Sequence, residues 1–430
     1  MIIITDKHNC CGCSACASIC PKGCIIMEAD NEGFLYPNVD KSICIDCGLC
    51  EKVCNELHPY DSREPLKVLA AINKNEEIRM KSSSGGIFYI LAESIIKEGG
   101  VVFGARFDED WQVEMDYAED MSGVEKFMGS KYVQARIESA YVDAKRFLSQ
   151  GRKVLFSGTP CQIAGLHKFL CKPYDNLLTV DLICHGTPSP KVWKIYLEEV
   201  IKEGQRINGI EFRNKVKGWK DFNFRLQYNE EDKTVSMLSA FQKNTYMKAF
   251  LQDLILRPSC YACKAKGCSS RSDVTIADFW GVSSLFPDMD DDKGTGLVFI
   301  NTEKGNASLD SAQIKTAETT YEKVKPLNPA CYRSPKEHPG RVEFFSRLGS
   351  ESVISLIDDC TKPSIGQRIY NRLAHCKSLI KRILIGGGEK MNNVIEQTCT
   401  KFPEEPEIVS VCFKNKEDGW KGYNVEIKVK

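Results

Sequence analysis

The chain has 430 residues, 42% of them hydrophobic, enough for a sizeable core and a prior of about three domains. Its 58 basic and 58 acidic residues balance, so nothing in the overall charge points to nucleic acid or an anionic membrane surface. No apolar run approaches the ~20 residues of a membrane span, and MIIITDKHNC at the start lacks a basic segment followed by a long apolar stretch. The chain therefore reads as cytoplasmic, with peripheral membrane association left open.

Twenty-one cysteines are many for this length, and ten of them precede residue 55. In a reducing compartment they are ligands or buried thiols rather than disulfides. Cys10, Cys13, Cys16 and Cys20 follow C-x2-C-x2-C-x3-C and lead into Pro21; Cys44, Cys47, Cys50 and Cys54 repeat the spacing, with Asn55 in place of the proline. Paired runs of this kind hold two [4Fe–4S] clusters, the fourth cysteine of each run reaching over to the other cluster. The crossover places Cys10, Cys13, Cys16 and Cys54 on one cluster and Cys20, Cys44, Cys47 and Cys50 on the other. Zinc is the competing reading, but two complete runs exceed what one four-thiolate zinc site needs. Cys11 and Cys24 are left over as buried thiols. Clusters with exposed ligands favour a low-oxygen host.

Residues 1–60 thus form an α+β ferredoxin-like domain, with short strands around the Asn-Glu-Gly turn at 31–33. ELHPYDSREP, with two prolines and mixed charge, reads as a linker. From residue 66 the pattern is α/β. KVLAAI and VVFGARFD are predicted strands, and GIFYILAESIIKEGG is a predicted helix stopping at Gly99 and Gly100. KVLFSGTPCQIAGLHKFL followed by NLLTVDLICHG reads as strand, turn, helix and strand, a unit that makes parallel neighbours. IEFRNKVKGW and DFNFRLQY are β-rich, and DVTIADFWG and GLVFINT supply two further strands. The expected core, 66–335 with parts 66–145 and 150–335, is an α/β domain with a mixed, partly parallel sheet.

Residues 336–430 read as a C-terminal helix and tail. Ile365, Ile369, Leu373, Cys376, Ile380 and Ile383 recur at helical spacing, which suits a helix docked on its own core or, less readily, a face for a partner or membrane. GGG at 386–388 ends that helix. FKNKEDGWKGYN at 413–424 echoes FRNKVKGWKDFN at 212–223, the mark of a partial duplication.

A second cysteine set lies in the core. Cys161 opens a helix, where the dipole lowers a thiol's pKa, and Cys184 ends the next strand. If the two strands are parallel neighbours, both thiols reach the same carboxyl edge, where α/β sites form. SCYACKAKGC adds Cys260, Cys263 and Cys268 in a loop. Two single cysteines and one C-x2-C pair suffice for a third four-thiolate site. Separate buried cysteines, zinc on the loop, or a lone nucleophile at Cys161 are the alternatives. KSSSGGIF at 81–88 puts three serines and two glycines at a helix start, suited to a phosphate or to a plain N-cap. GSKYVQ and FRNKVKGW add Lys131, Arg213 and Lys215 beside aromatics, as anion holders or ordinary strand edges. His185, His167 and Asp278 are candidate proton-handling groups, and no catalytic residue is assigned.

KSSSGG, FGARFDEDW, GSKYVQ, FSGTPCQIAGL, DLICHG, FRNKVKGW, RPSCYAC and DVTIADFWG together resemble, in this order, the coenzyme F-420 hydrogenase/dehydrogenase beta subunit family. The resemblance spans roughly residues 66–300. It implies an iron–sulfur flavin oxidoreductase with FAD, fed by a ferredoxin or another redox subunit and acting on a small two-electron substrate, a deazaflavin or another. It implies a core [4Fe–4S] cluster on Cys161, Cys184, Cys260 and Cys263, with Cys268 extra to the usual pattern. By position, Ser83, Ser84, Gly85, Gly86 and Lys131 would contact FAD. A non-catalytic electron relay inside a larger complex is the alternative.

Overall fold

A computed structural model describes residues 1–231, 233–309, 311–362, 408–414 and 424–429. It divides into two compact units, Met1–Thr361 and Lys362–Lys430. In the first, a two-stranded antiparallel ribbon of β1 (Ile25–Ala29) and β2 (Leu35–Val39) turns at residues 31–33, beside short helices Ala15–Ile19 and Leu49–Lys52. The segment read as a linker is pinned to the core. Arg63 N–H donates to the Gly267 carbonyl at 3.0 Å, and its guanidinium donates to the Ser272 carbonyl.

The core sheet has eight strands. In chain order they are β3 (Lys67–Asn73), β4 (Val101–Phe107), β5 (Val113–Ala118), β6 (Val154–Gly158) and β7 (Leu177–Leu182), then β11 (Val274–Asp278), β12 (Gly296–Ile300) and β13 (Ile314–Thr319). Between β7 and β11 run β8 (Arg206–Asn214), β9 (Asn223–Glu230) and β10 (Lys233–Ala240), which form their own antiparallel sheet. The large sheet runs β13-β3-β12-β11-β7-β6-β4-β5. β4, β6, β7 and β11 are parallel neighbours, and the outer pairings are antiparallel. The sheet is mixed and partly parallel, as expected.

Alternation assigns the two faces. Val101, Phe103, Val154 and Phe156 pack under helices Ala140–Ser149 and Pro160–Leu170, while Val102, Leu155 and Val180 pack under Ile87–Lys97. The second face starts at the glycine-rich turn: Gly86 sits at φ +79° before Ile87, the left-handed backbone that glycine tolerates. Ala15 and Val53 of the ferredoxin-like module join the first face, so module and core share one apolar layer. A separate core lies between β8, β9 and helices Pro190–Val200, Thr245–Leu251, Arg341–Arg347 and Val353–Cys360. These last two helices carry the first unit on to Thr361.

In the second unit, β14 (Ile408–Lys414) and β15 (Asn424–Val429) form an antiparallel pair. Lys414 faces Asn424 there, and Asn214 faces Asn223 in the β8–β9 pair. The echoed stretches at 212–223 and 413–424 therefore both link two antiparallel strands. The predicted helix over 365–383 and the GGG stop lie outside the described residues. Among the described residues, no helix is long and apolar enough to cross a membrane.

Candidate functional site

β6 and β7 are adjacent and parallel, so the segments after them leave from one sheet edge. Thr159 and Pro160 turn the chain there: the Gln162 side chain accepts from the Thr159 N–H at 2.9 Å, fixing the helix start. Cys161 follows in its first turn, with its Sγ 3.2 Å from the Thr159 hydroxyl. Cys184 lies two residues beyond the end of β7. Cys260 and Cys263 come from the short helix Pro258–Ala262 and its end, and the Thr187 N–H points at Cys260 Sγ at 3.4 Å. Cys184 lies within electrostatic reach of Cys161, Cys260 and Cys263. Three segments thus deliver four thiols to one place.

Burial, the charge of Cys161 and that of Cys260 push Cys263 up to about 12, and burial raises Cys184 well above the ordinary range. The neighbouring Cys11 thiol, then burial, raise Cys161 likewise. At this helix start the Cys161 thiol is thus raised, not lowered, by its thiol neighbour and by burial. Thiols so placed become thiolates when a cluster supplies positive charge. Among the described residues, no group of three or more His, Cys, Asp or Glu side chains is arranged to hold a metal ion. Cys268 lies elsewhere, in an apolar layer with Cys331 and Phe279.

In the ferredoxin-like module, Cys20, Cys44, Cys47 and Cys50 line one cavity, together with Cys24. Backbone N–H groups of Ile2 and Asp46 point at Cys50 and Cys44 at 3.3 and 3.4 Å, the kind of contact that tunes a cluster. Cys16 is raised to about 12 by burial and by the charges of Cys10 and Cys54, so those three thiols are neighbours. Cys13 packs on the Pro160–Leu170 helix, where a Cβ on Gly165 would meet its Sγ at 3.0 Å. Cys11 lies between Cys13 and Cys161 and bridges the two thiol sets.

A cleft of about 630 Å³ opens elsewhere in the first unit, between the loops at 80–83 and 125–131 and the β8–β9 sheet. That volume falls in the range of cofactor sites. Ser83 and Lys131 line it. Ser83 Oγ accepts from Ser130 Oγ at 2.8 Å, and Lys131 Nζ donates to the Met128 and Gly129 carbonyls at 3.0 and 3.3 Å. Desolvation lowers Lys131 to about 7. The other candidates stand behind this wall. Ser84 Oγ donates to the Thr295 carbonyl at 2.8 Å, and Gly85 is so close to Ala71 that a Cβ would meet that carbonyl at 2.3 Å. Gly86 serves the turn. His185 binds Asp253 at 2.5 Å, while the Nε2 of His167 is buried without a partner; neither lines the cleft. Asp278 pairs with Arg213 and accepts from the Trp219 indole at 3.0 Å.

Residues 151–325 match the family model for the C terminus of the coenzyme F420 hydrogenase/dehydrogenase beta subunit. That stretch belongs to the coenzyme F420 hydrogenase/dehydrogenase beta subunit family. It carries all four core thiols of the family-like site and the Arg213 strand. A coenzyme F420-dependent sulfite reductase of Methanocaldococcus jannaschii is 26% identical over 194 residues, 43% of this chain and 29% of that protein. An uncharacterized ferredoxin of the same organism is 38% identical over 52 residues, 12% of this chain and 66% of the ferredoxin. The chain thus spans under a third of one curated relative and about two-thirds of the other. A chain of the F420-reducing [NiFe] hydrogenase complex from Methanosarcina barkeri aligns with TM-score 0.43 and 22% identity, over 62% of this chain and 88% of that one.

Two residues beside the thiols carried no assignment from sequence. Arg257 is fully buried: its guanidinium donates to the Cys10 carbonyl at 2.7 Å, to Gln134 at 3.1 Å and to the Leu35 carbonyl at 2.9 Å. It stands three residues before Cys260 inside RPSCYAC, so its place in a family motif was the available signal. Glu56 is buried between the thiol sets, raised by burial and held by Lys264 at 3.8 Å. Inside a linker-like stretch, nothing marked it.

Proposed function

We propose that the protein is an iron–sulfur flavin oxidoreductase that couples electrons exchanged with a redox partner to a small two-electron substrate. In this reading residues 1–60 are the two-cluster module and 66–335 the core. Cys10, Cys13, Cys16 and Cys54 hold one [4Fe–4S] cluster, Cys20, Cys44, Cys47 and Cys50 a second, and Cys161, Cys184, Cys260 and Cys263 a third. The observation that carries it is the gathering of four core thiols from three separate segments beside the Cys10–Cys13 loop. The names of the relatives, a sulfite reductase and a ferredoxin, agree with oxidoreductase chemistry linked to iron–sulfur centres.

The cleft residues fit an anionic flavin dinucleotide. Lys131 keeps one ammonium proton free after its two carbonyl bonds, and Ser83 offers a hydroxyl at the cleft wall. Bound there, FAD supplies the conversion between one-electron and two-electron chemistry. The chain's own part is to orient that group, and to bury the thiols away from water and oxygen.

Iron and released-flavin stoichiometry on anaerobically purified protein tests this. About twelve irons and one FAD per chain are expected. About eight irons and no flavin, with cofactor loss excluded by reconstitution, would leave only the N-terminal pair and favour an electron relay.

A further inference from the structure

One flank of the inner thiol set carries cations that no carboxylate answers. On the Pro160–Leu170 helix, Lys168 stands one turn beyond Gly165, the residue against which Cys13 packs, and it lies within electrostatic reach of Cys54. Its Nζ rests 4.0 Å from the centre of the Tyr60 ring. The Arg271 guanidinium carbon lies 5.3 Å from the same ring, and Lys172 Nζ lies 4.8 Å from that of Tyr174. Among the described residues, none of these three cations makes an ion pair. Asp61 and Asp175 follow the two tyrosines in sequence but pair with none of them, and Asp273 is buried and engaged by Thr179 and Lys304.

Aromatic faces hold these cations without neutralising them. Desolvation, then the charge of Arg271, lowers the pKa of Lys168, so the two like charges repel. Arg271 also sits at φ +67°, the left-handed region that a long side chain seldom adopts. Such an arrangement is unfavourable in the isolated chain and becomes favourable when an anionic surface covers it. Beside the cations is an apolar spot. Leu57 is 54% exposed, and its N–H points at the Cys54 thiol. Leu57 and Tyr60 thus give an apolar centre next to a thiol of the inner set, with a basic rim around it, the layout of a transient protein interface. The outer thiol cavity has no such surplus of charge, since Lys22 and Asp46 both line it.

We propose that this surface docks an acidic one-electron carrier protein and places the carrier's redox centre beside Cys54, so that electrons enter at the inner cluster and not at the exposed outer one. One electron leaves the reduced carrier and reduces the cluster, with no bond made or broken. This rests on the reading of Cys10, Cys13, Cys16 and Cys54 as cluster ligands. It adds the partner's charge and its seat.

The test follows reduction of the anaerobically reconstituted full chain by stopped flow. The donors are reduced flavodoxin, a strongly acidic one-electron carrier, and, separately, reduced methyl viologen, a small donor that needs no docking. K168Q/K172Q/R271Q removes the basic rim, and K22Q/K41Q removes two lysines close in sequence to the outer ligands. Iron content and circular dichroism check that each variant is folded. At low salt the flavodoxin rate constant is expected to fall about 10- to 100-fold in the triple variant and to lose most of its salt dependence. The viologen rate should stay within about twofold of wild type, and K22Q/K41Q should behave as wild type with both donors. A wild-type flavodoxin rate and salt response in the triple variant, or the loss appearing in K22Q/K41Q instead, overturns the assignment. So does a wild-type chain that viologen reduces and flavodoxin does not. Binding to phosphatidylglycerol vesicles that the triple variant loses, with flavodoxin rates unchanged, would make the patch a lipid site instead. If viologen reduces no cluster in wild type, the cluster reading itself fails, and equilibrium binding of flavodoxin then decides on the surface. Salt-sensitive binding by wild type that the triple variant loses keeps it, and none by wild type ends it.

Discussion

Arg257 carries a charge in a place no water reaches, and it is stable there because each face of the guanidinium is used. Three acceptors take its protons, and the Tyr36 ring lies 4.3 Å from its carbon. Gly12 makes room: a Cβ there would meet Arg257 Nη1 at 2.7 Å, and its φ of +70° suits glycine. Arg257→Met should strand the carbonyls of Cys10 and Leu35 and lower stability by roughly 3 kcal/mol, read from urea unfolding under anaerobic conditions. A change within about 0.5 kcal/mol would show the arginine to be dispensable. Asp181 makes the opposite case. Burial holds its carboxyl up at about 6, with Ser270 offsetting part of the rise, while an unfolded carboxyl titrates near 3.8. The folded chain therefore binds this proton more tightly, so the stability it contributes is full below about pH 4 and lost as pH rises through about 6. Asp181→Asn keeps the neutral shape at every pH. It should match wild type near pH 4 and exceed it by about 2–3 kcal/mol above pH 7, in unfolding measured across that range. A gap independent of pH would refute the assignment.

The Pro160–Leu170 helix is where the two thiol sets meet, and its sequence shows how much can be read in advance. Its start was legible because Thr159-Pro160 after an apolar strand is a strong helix signal, and the adjacent parallel strand put Cys161 and Cys184 at one edge. Its middle was not. Gly165 in a helix looks like a cost without a purpose until the ferredoxin-like module is seen against it, because a contact between residues some 150 positions apart leaves no local pattern. A Cβ at 165 would meet Cys13 Cβ at 2.9 Å and the Tyr141 hydroxyl at 2.9 Å. Gly165→Ala is therefore expected to displace Cys13 and lower iron content by one cluster, about four irons per chain, with far-UV circular dichroism unchanged. Full iron content in the variant would mean that Cys13 is not a ligand or that the helix yields. The KSSSGG element divides in the same way. Its glycines and Ser84 are committed to packing, leaving Ser83 at the cleft, a division that serine and glycine composition alone cannot express.

Across the molecule, the expected domain pattern understated how closely the N-terminal module is built into the core. The Asn-Glu-Gly turn reads as a bare connection between β1 and β2, yet it is the module's plug. The Arg341 guanidinium grips both oxygens of Glu32, Nη1 to Oε1 at 3.1 Å, and also donates to the Leu256 carbonyl. The Asn31 carbonyl accepts from Lys191 at 2.9 Å, and Gly33, at φ +87°, lies where a Cβ would meet Lys191 Cβ at 2.3 Å. Arg341 is 308 residues beyond Gly33 in sequence, so no spacing rule could pair their neighbourhoods. A nearly buried bidentate pair gives one-sided truncation a large effect, because the remaining charge is left without its partner. Glu32→Ala should therefore loosen the module without unfolding the core. In amide hydrogen exchange, wild-type residues 25–39 should open together with β3, β6 and β7. In the variant, 25–39 should exchange about 100-fold faster, the equivalent of about 3 kcal/mol, while the core strands keep their rates. If 25–39 already exchanges freely in wild type, the module is only loosely attached. If the core strands accelerate with it in the variant, the turn supports the whole unit rather than one part.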